Sequence, residues 1–109
     1  MARLAAEFWV QAYLARIQAE GLGAYLLARG DPVAGAVVVK CAFGDGRARA
    51  FQRVQDLTGG RRWDVLAEGP EAEVDAALVR ARSRDPDLWL IEVEDRSGLA
   101  MLDAPGLDD

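Results

Sequence analysis

The chain has 109 residues, of which 51% are hydrophobic and 28% are charged, and this balance excludes an intrinsically disordered protein. Its length suits one globular domain. Its formal net charge of −5 argues against general binding to nucleic acid or to an anionic membrane surface, because both are polyanions.

Residues 3–20 predict a first helix, because they contain no proline or glycine and are rich in good helix formers. Gly21 and Gly23 end it. At about 100° per residue, one broad apolar face should pack on a sheet. That face comprises Ala6, Val10, Tyr13, Leu14 and Ile17, with Trp9 at its edge. A narrower apolar face lies nearly opposite and comprises Leu4, Phe8, Ala12, Ala15 and Ala19.

Residues 24–68 predict a four-stranded antiparallel meander. Its strands are apolar or β-branched runs separated by turn-forming residues. The second and third strands flank Gly44-Asp45-Gly46, a sequence typical of a hairpin turn. The four predicted strands are Tyr25–Leu27, Ala36–Phe43, Arg47–Val54 and Arg61–Ala67.

A second helix is predicted from Pro70, because proline suits the first helical position, and Pro86 ends it. Residues 88–95 predict a further strand whose side chains alternate between two faces. Residues 99–102 are a candidate for a short last strand. The order predicts an α+β fold in which both helices pack on one face of a mainly antiparallel sheet. We expect a single domain over residues 1–103 and a frayed acidic tail over residues 104–109.

The expected location is the cytoplasm. No window approaches the ~20 apolar residues of a membrane-spanning helix. The apolar N-terminal stretch is interrupted by Glu7 and Gln11 and lacks a signal-peptide cleavage site. The one cysteine, Cys41, cannot form an intramolecular disulfide, which fits a reducing compartment.

Several segments together point to a known family. The opening helix contains Glu7-Phe8-Trp9-Val10, and Gly30-Asp31-Pro32-x-Ala34-Gly35-Ala36-Val37 follows. Further on come Pro70-Glu71-Ala72-Glu73-Val74-Asp75-Ala76 and Asp85-Pro86-Asp87-Leu88-Trp89, which leads into Ile91-Glu92-Val93-Glu94-Asp95. Over residues 3–103 the chain resembles the small proteobacterial family called domain of unknown function 1491. The resemblance implies a bacterial, cytoplasmic, single-domain protein, and it implies no activity, ligand or catalytic residue.

The composition argues against nucleophilic catalysis and zinc sites. The chain has no histidine and one cysteine, so Ser-His and Cys-His pairs and His/Cys zinc sites are excluded. Cys41 alternates with Val37 and Val39 on the core side of its strand, which predicts a buried, inert thiol. No glycine-rich stretch matches a dinucleotide or phosphate loop, and we expect no cofactor.

Carboxylates on the last predicted strand are the candidate metal ligands. Glu92 and Glu94 project from one face and Asp95 follows, a pattern that suits Mg²⁺ or Mn²⁺ in phosphodiester cleavage. A nuclease-like site adds a lysine near the acidic strand, whereas the only lysine, Lys40, is on another strand. The alternative is a solvated face on which Glu92 and Glu94 pair with arginines across the strands.

Those arginines are themselves a candidate site. Arg47, Arg49 and Arg53 share one face of the third strand with Phe51 between them, as in a small platform for anions or single-stranded nucleic acid. The net charge argues against nucleic acid. The alternative is a lattice of ion pairs with Glu92 and Glu94.

The second apolar face of the first helix favours self-association. Small residues there would let a second helix approach, which predicts a two-fold homodimer through Leu4, Phe8, Ala12, Ala15 and Ala19. The alternative is that the loop before Pro32 or the C-terminal segment covers this face. Taken together, the sequence favours a non-catalytic binding or protein-interaction module with an unidentified protein partner. The alternative function is a metal-dependent phosphodiester-processing or nucleic-acid-binding protein that uses the carboxylates and the arginine strip.

Overall fold

The fold is α+β, as the sequence predicts. The structure is a computed structural model, and it describes residues 5–55 and 61–102. The predicted tail 104–109 and Leu4 lie outside the described residues. The helices and strands are, in chain order, α1 (Ala6–Ala19), β1 (Gly23–Ala28), β2 (Val37–Ala42), β3 (Arg47–Gln55), β4 (Arg61–Pro70), α2 (Glu71–Arg84) and β5 (Trp89–Glu94).

The five strands form one mixed sheet in the order β1-β5-β2-β3-β4. β2, β3 and β4 form the antiparallel meander. β5 lies between β1 and β2, parallel to β2 and antiparallel to β1. The predicted meander is therefore wrong in its first strand. All six residues of β2 are buried, so β2 takes as its second neighbour β5, in which four of the six residues are also buried.

The two helices lie on opposite faces of the sheet, and the prediction that both share one face is wrong. On one face, Tyr13 and Ile17 of α1 belong to the same core as Val39 of β2. On the other, Val74 and Leu78 of α2 pack with residues that include Val38, Ala48, Ala50 and Leu90. The reason is that β2 is apolar except for Lys40 and is buried on both faces, so each of its faces needs a covering helix.

The loop between β1 and β2 is packed tightly against the start of β5. The Asp31 N–H donates to the Asp87 carbonyl at 2.9 Å, and the Trp89 indole N–H donates to the Asp31 carbonyl at 2.8 Å. A Cβ on Gly30 or Gly35 would collide with the backbone oxygen of Asp87. Two of the segments that carry the family resemblance therefore form one structural junction, which holds β5 beside β2.

The chain after β5 turns back beneath α1. The Asp95 carboxylate accepts hydrogen bonds from the backbone N–H groups of Ser97 and Ala100, both at 3.0 Å. The Tyr13 hydroxyl donates to the Ala100 carbonyl at 2.7 Å. Ala100 and Met101 have φ values of 52° and 56°, in the left-handed region that no strand uses. The candidate strand over residues 99–102 is therefore a turn.

Candidate functional site

Lys40 is buried at the centre of a charge cluster. Its side chain is 2% exposed, and its Nζ lies 2.7 Å from Glu71 Oε2, 2.6 Å from Asp75 Oδ1 and 3.0 Å from Glu92 Oε1. An ammonium has three N–H donors, so each donor is matched by one carboxylate. The cluster carries three negative charges and one positive charge.

The topology explains why these four residues meet. Lys40 and Glu92 are register partners on the parallel strands β2 and β5, so their side chains lie on the same face. Glu71 and Asp75 are four residues apart at the start of α2, which puts them on one side of that helix. The Glu71 N–H donates to the Gly46 carbonyl at 2.9 Å, and this bond fixes the start of the helix. The cluster therefore joins β2, β5 and α2.

The electrostatics keep Lys40 charged. Burial by itself lowers the pKa of Lys40, because a poorly hydrated environment disfavours the charged form. Hydrogen bonds to Asp75, Glu71 and Glu92 outweigh burial and raise the pKa above its ordinary value of 10.5. A catalytic lysine base or nucleophile needs the opposite shift. The cluster is thus suited to holding elements together and to presenting negative charge.

A groove opens beside this cluster, and we call it the α2–β1 groove. Its volume is about 350 Å³. It is open because α2 packs mainly over β3 and β4, which leaves Tyr25 and Leu27 of β1 exposed on this face. Its lining combines apolar side chains with carboxylates and comprises Leu27, Asp75, Leu78, Val79, Leu90 and Glu92.

The three predicted metal ligands do not converge on one point. Glu92 binds Lys40 at 3.0 Å, and Glu94 accepts a hydrogen bond of 2.8 Å from the Tyr25 hydroxyl. Asp95 is engaged in the turn after β5. Within residues 5–55 and 61–102, no three His, Cys, Asp or Glu side chains are grouped so as to hold a metal ion. The lysine expected to lie apart from the acidic strand is instead its direct neighbour, because β2 pairs with β5.

The arginine strip lies on the α1 face of the sheet, away from Glu92 and Glu94. Arg49 of β3 is the register partner of Cys41, which belongs to the core under α1. Glu92 is the register partner of Lys40, which points to the other face. The predicted ion-pair lattice with Glu92 and Glu94 is therefore wrong in its acidic partners, since alternate strand residues point to opposite faces.

The arginines have partners close to their own strand. The Arg49 guanidinium donates two hydrogen bonds to the Glu68 carboxylate, of 2.9 and 3.2 Å, and lies over the rings of Phe43 and Phe51. This pairing lowers the pKa of Glu68. The Arg53 guanidinium lies 4.8 Å from the centre of the Trp9 ring. Arg47 is exposed at the start of β3. Arg49, the middle residue of the strip, is thus already bound to a carboxylate.

Cys41 is buried, as the sequence predicts. Its thiol donates to the Asp95 carbonyl at 3.3 Å. Burial raises the pKa of Cys41 to about 11, so the group is protonated at neutral pH. This state is unsuitable for a nucleophile or a metal ligand.

The outer face of α1 is exposed. Phe8 is 61% exposed, and Ala12, Ala15 and Ala19 are exposed along the same side of the helix. Neither the loop before Pro32 nor the described part of the C-terminal segment covers this face. The loop instead extends the apolar surface, because Phe8 and the exposed Val33 border one shallow cavity of about 310 Å³. The homodimer stays a prediction.

Sequence reasoning missed the Lys40 cluster and the α2–β1 groove. One signal was present: Lys40 interrupts an otherwise apolar strand, and a lysine is almost never fully buried unless it is paired. Glu71 and Asp75, four apart on the next helix, were the second signal. The missing information was the pairing of β2 with β5, which brings together residues 52 positions apart.

Comparison with known proteins gives the family. The model of the family described as protein of unknown function (DUF1491) matches residues 4–103, in agreement with the resemblance in the sequence. The crystal structure of a DUF1491 family protein from Caulobacter crescentus CB15 is similar at a TM-score of 0.84 and 36% identity, over 92% of this chain and 95% of that chain. The solution structure of protein Atu0922 from A. tumefaciens is similar at a TM-score of 0.73 and 31% identity, over 85% and 86% of the two chains.

Two further findings are negative. No curated protein matches the chain. Among the described residues, no helix has both the length and the hydropathy to cross a membrane.

Proposed function

We infer the role of this chain from its own surfaces, because it belongs to DUF1491, a family of proteins of unknown function. We propose that it is a non-catalytic interaction module of the cytoplasm, which forms a homodimer through the outer face of α1. The observation that carries the proposal is the 61% exposure of Phe8 on a helix whose opposite face is committed to the core.

The chemistry of the interior supports a non-catalytic role. The sequence contains no histidine to act as a general base. Lys40 is held as an ammonium by three carboxylates, and Cys41 is a buried thiol of raised pKa. Glu94 and Asp95 hold a tyrosine and a turn. The geometry therefore gives no support to the alternative of a metal-dependent phosphodiester-processing protein.

The surface of α1 supports self-association. Fully burying a phenylalanine contributes about 1.5–3 kcal/mol, so covering the 61% of Phe8 that is exposed contributes about 1–2 kcal/mol, and a two-fold contact counts that contribution twice. The exposed Ala12 and Ala15 lack bulk, so the backbone of a second helix can approach closely. Val33 enlarges the apolar surface beside Phe8. Large exposed apolar patches on a soluble protein mark interaction sites.

Sedimentation velocity of the full chain and two variants tests the dimer. We expect the wild type to sediment as a dimer and Phe8→Glu to sediment as a folded monomer, because the carboxylate would be buried at the two-fold contact. Val79→Glu is the matched control, since it puts the same charge on an exposed apolar residue of α2 and should remain dimeric. A monomeric wild type, or a Phe8→Glu variant that stays dimeric with unchanged circular dichroism, would refute the proposal.

A further inference from the structure

We propose that the α2–β1 groove binds an extended, positively charged segment of a partner protein, in which basic side chains alternate with apolar ones. The groove lies on the face of the sheet opposite α1, so this binding is independent of the homodimer. Three properties of the groove select this occupant: its apolar walls, its charge and its open strand edge.

The walls of the groove expose large apolar side chains. Val79 of α2 and Leu27 of β1 are 69% and 49% exposed, and Tyr25, the register partner of the groove residue Glu92, is 52% exposed. Leu90 forms an apolar floor between them. A partner that covers these side chains removes contiguous apolar area from water, which is the main favourable contribution to protein association.

The charge of the groove selects a cationic partner. Glu71, Asp75 and Glu92 surround Lys40, and Glu94 lies on the same face, bound to Tyr25. These four carboxylates and one ammonium leave an excess of three negative charges. Asp75 and Glu92 each bind Lys40 through one oxygen, and their side chains are 53% and 24% exposed, so the second carboxylate oxygen of each can accept from arginine or lysine. A two-fold contact between the grooves of two copies of this chain would bring like charges together, so the charge argues against that contact.

The edge of the sheet selects an extended partner. Among the described strands, β1 pairs only with β5, so its outer edge can hydrogen-bond an added strand. Side chains of an added strand alternate between the two faces of the sheet. Those on the groove side reach the carboxylates, whereas those on the opposite side meet Leu26, which is partly exposed on the α1 face. The partner segment therefore needs basic residues toward the groove and apolar residues toward the α1 face, in alternation.

Selection from a displayed library of random short peptides on the wild-type protein tests this occupant. We expect enrichment of sequences in which arginine or lysine alternates with apolar residues. The affinity of a synthetic enriched peptide, measured by fluorescence anisotropy, should fall at least tenfold in Val79→Arg, which puts a cation on the groove wall. Ala76→Arg, an exposed substitution on α2 outside the groove, adds the same charge and should bind as the wild type does.

Four outcomes would overturn the proposal. In the first, the library yields no enriched peptides, and in the second, the enriched peptides lack basic residues. In the third, Val79→Arg and Ala76→Arg weaken the affinity for the peptide equally. In the fourth, Val79→Arg dissociates a dimer and Phe8→Glu does not. The last outcome would assign the groove to a second copy of the chain. A wild type that is monomeric would refute the homodimer alone, because the peptide measurement needs no second copy.

Discussion

Replacing Lys40 with methionine tests how much the buried cluster contributes to the fold. Methionine keeps most of the apolar stem of the lysine and removes its charge. Glu71, Asp75 and Glu92 would then face one another without the ammonium that binds all three. We expect the variant to fold at neutral pH with a clearly lower free energy of unfolding.

The size of this loss follows from burial. Removing one partner of a fully buried ion pair costs about 3–5 kcal/mol, whereas an exposed pair contributes at most about 1 kcal/mol. Lys40 is 2% exposed, but Glu92, Glu71 and Asp75 are 24%, 39% and 53% exposed, so water replaces part of the lost interaction. We therefore expect a loss of about 2–3 kcal/mol, a large part of the 5–15 kcal/mol typical of a domain.

Urea unfolding followed by circular dichroism measures the loss. At a slope of about 1–3 kcal/mol per molar urea, the midpoint should fall by about 0.7–3 M with the slope unchanged. Adding Asp75→Asn and Glu92→Gln to Lys40→Met should restore much of the stability, because the repelling charges are removed.

The raised pKa of Lys40 gives a second check. The stabilisation by the Lys40 ammonium is complete at a pH below 10.5, the pKa of lysine in the unfolded chain, and is lost as the pH rises through the higher pKa of the folded state. The free energies of unfolding of the wild type and the variant should therefore converge in strong alkali. A Lys40→Met midpoint equal to that of the wild type at neutral pH would refute the reasoning.

Three further predictions concern the interior and the metal alternative. Cys41 should react with a disulfide reagent far more slowly in the native protein than in denaturant, and equal reaction rates would contradict its burial. Because burial raises the pKa of Cys41, the free energy of unfolding should fall as the pH rises above the ordinary 9.0 toward about 11. Gly30→Ala should lower the free energy of unfolding by about 2 kcal/mol or more, because the new Cβ collides with the Asp87 carbonyl, and an unchanged urea midpoint would contradict that packing. Millimolar Mg²⁺ or Mn²⁺ should cause no saturable rise in Tm, since Glu92 is bound to Lys40 and Glu94 to Tyr25. A rise in Tm that is lost in the Glu92→Gln/Glu94→Gln double variant would restore the metal-dependent alternative.

The sequence predicts features that depend on local periodicity. The helical period places Val10, Tyr13 and Ile17 on one face of α1, and all three are buried. Gly44 and Gly46 predict the β2–β3 hairpin, and both adopt positive φ. Such features depend only on residues that are close together in the sequence. They account for the class of the fold and for the bounds of the observed helices and strands to within three residues.

The sequence does not predict features that depend on which strands pair. β1 and β2 are consecutive, yet β5 separates them because β2 needs an apolar neighbour on each side. The same pairing puts Lys40 beside Glu92, and the placement of α2 on the second face brings Asp75 to them. Local patterns do not contain this information, so the prediction left Lys40 apart from the acidic strand.

The segments that resemble the family do two different things in the structure. Gly30 and Asp31 pack against Asp87, and this junction holds β5 in the sheet. Trp9 is likewise buried in the core. Phe8, its neighbour in the same segment, contributes little to that core because most of its ring is exposed to water. The exposed ring of Phe8 is the apolar surface on which the proposed homodimer depends, and the Phe8→Glu variant tests it. That asymmetry between two adjacent aromatic residues is the reason why the proposed homodimer is assigned to the outer face of α1.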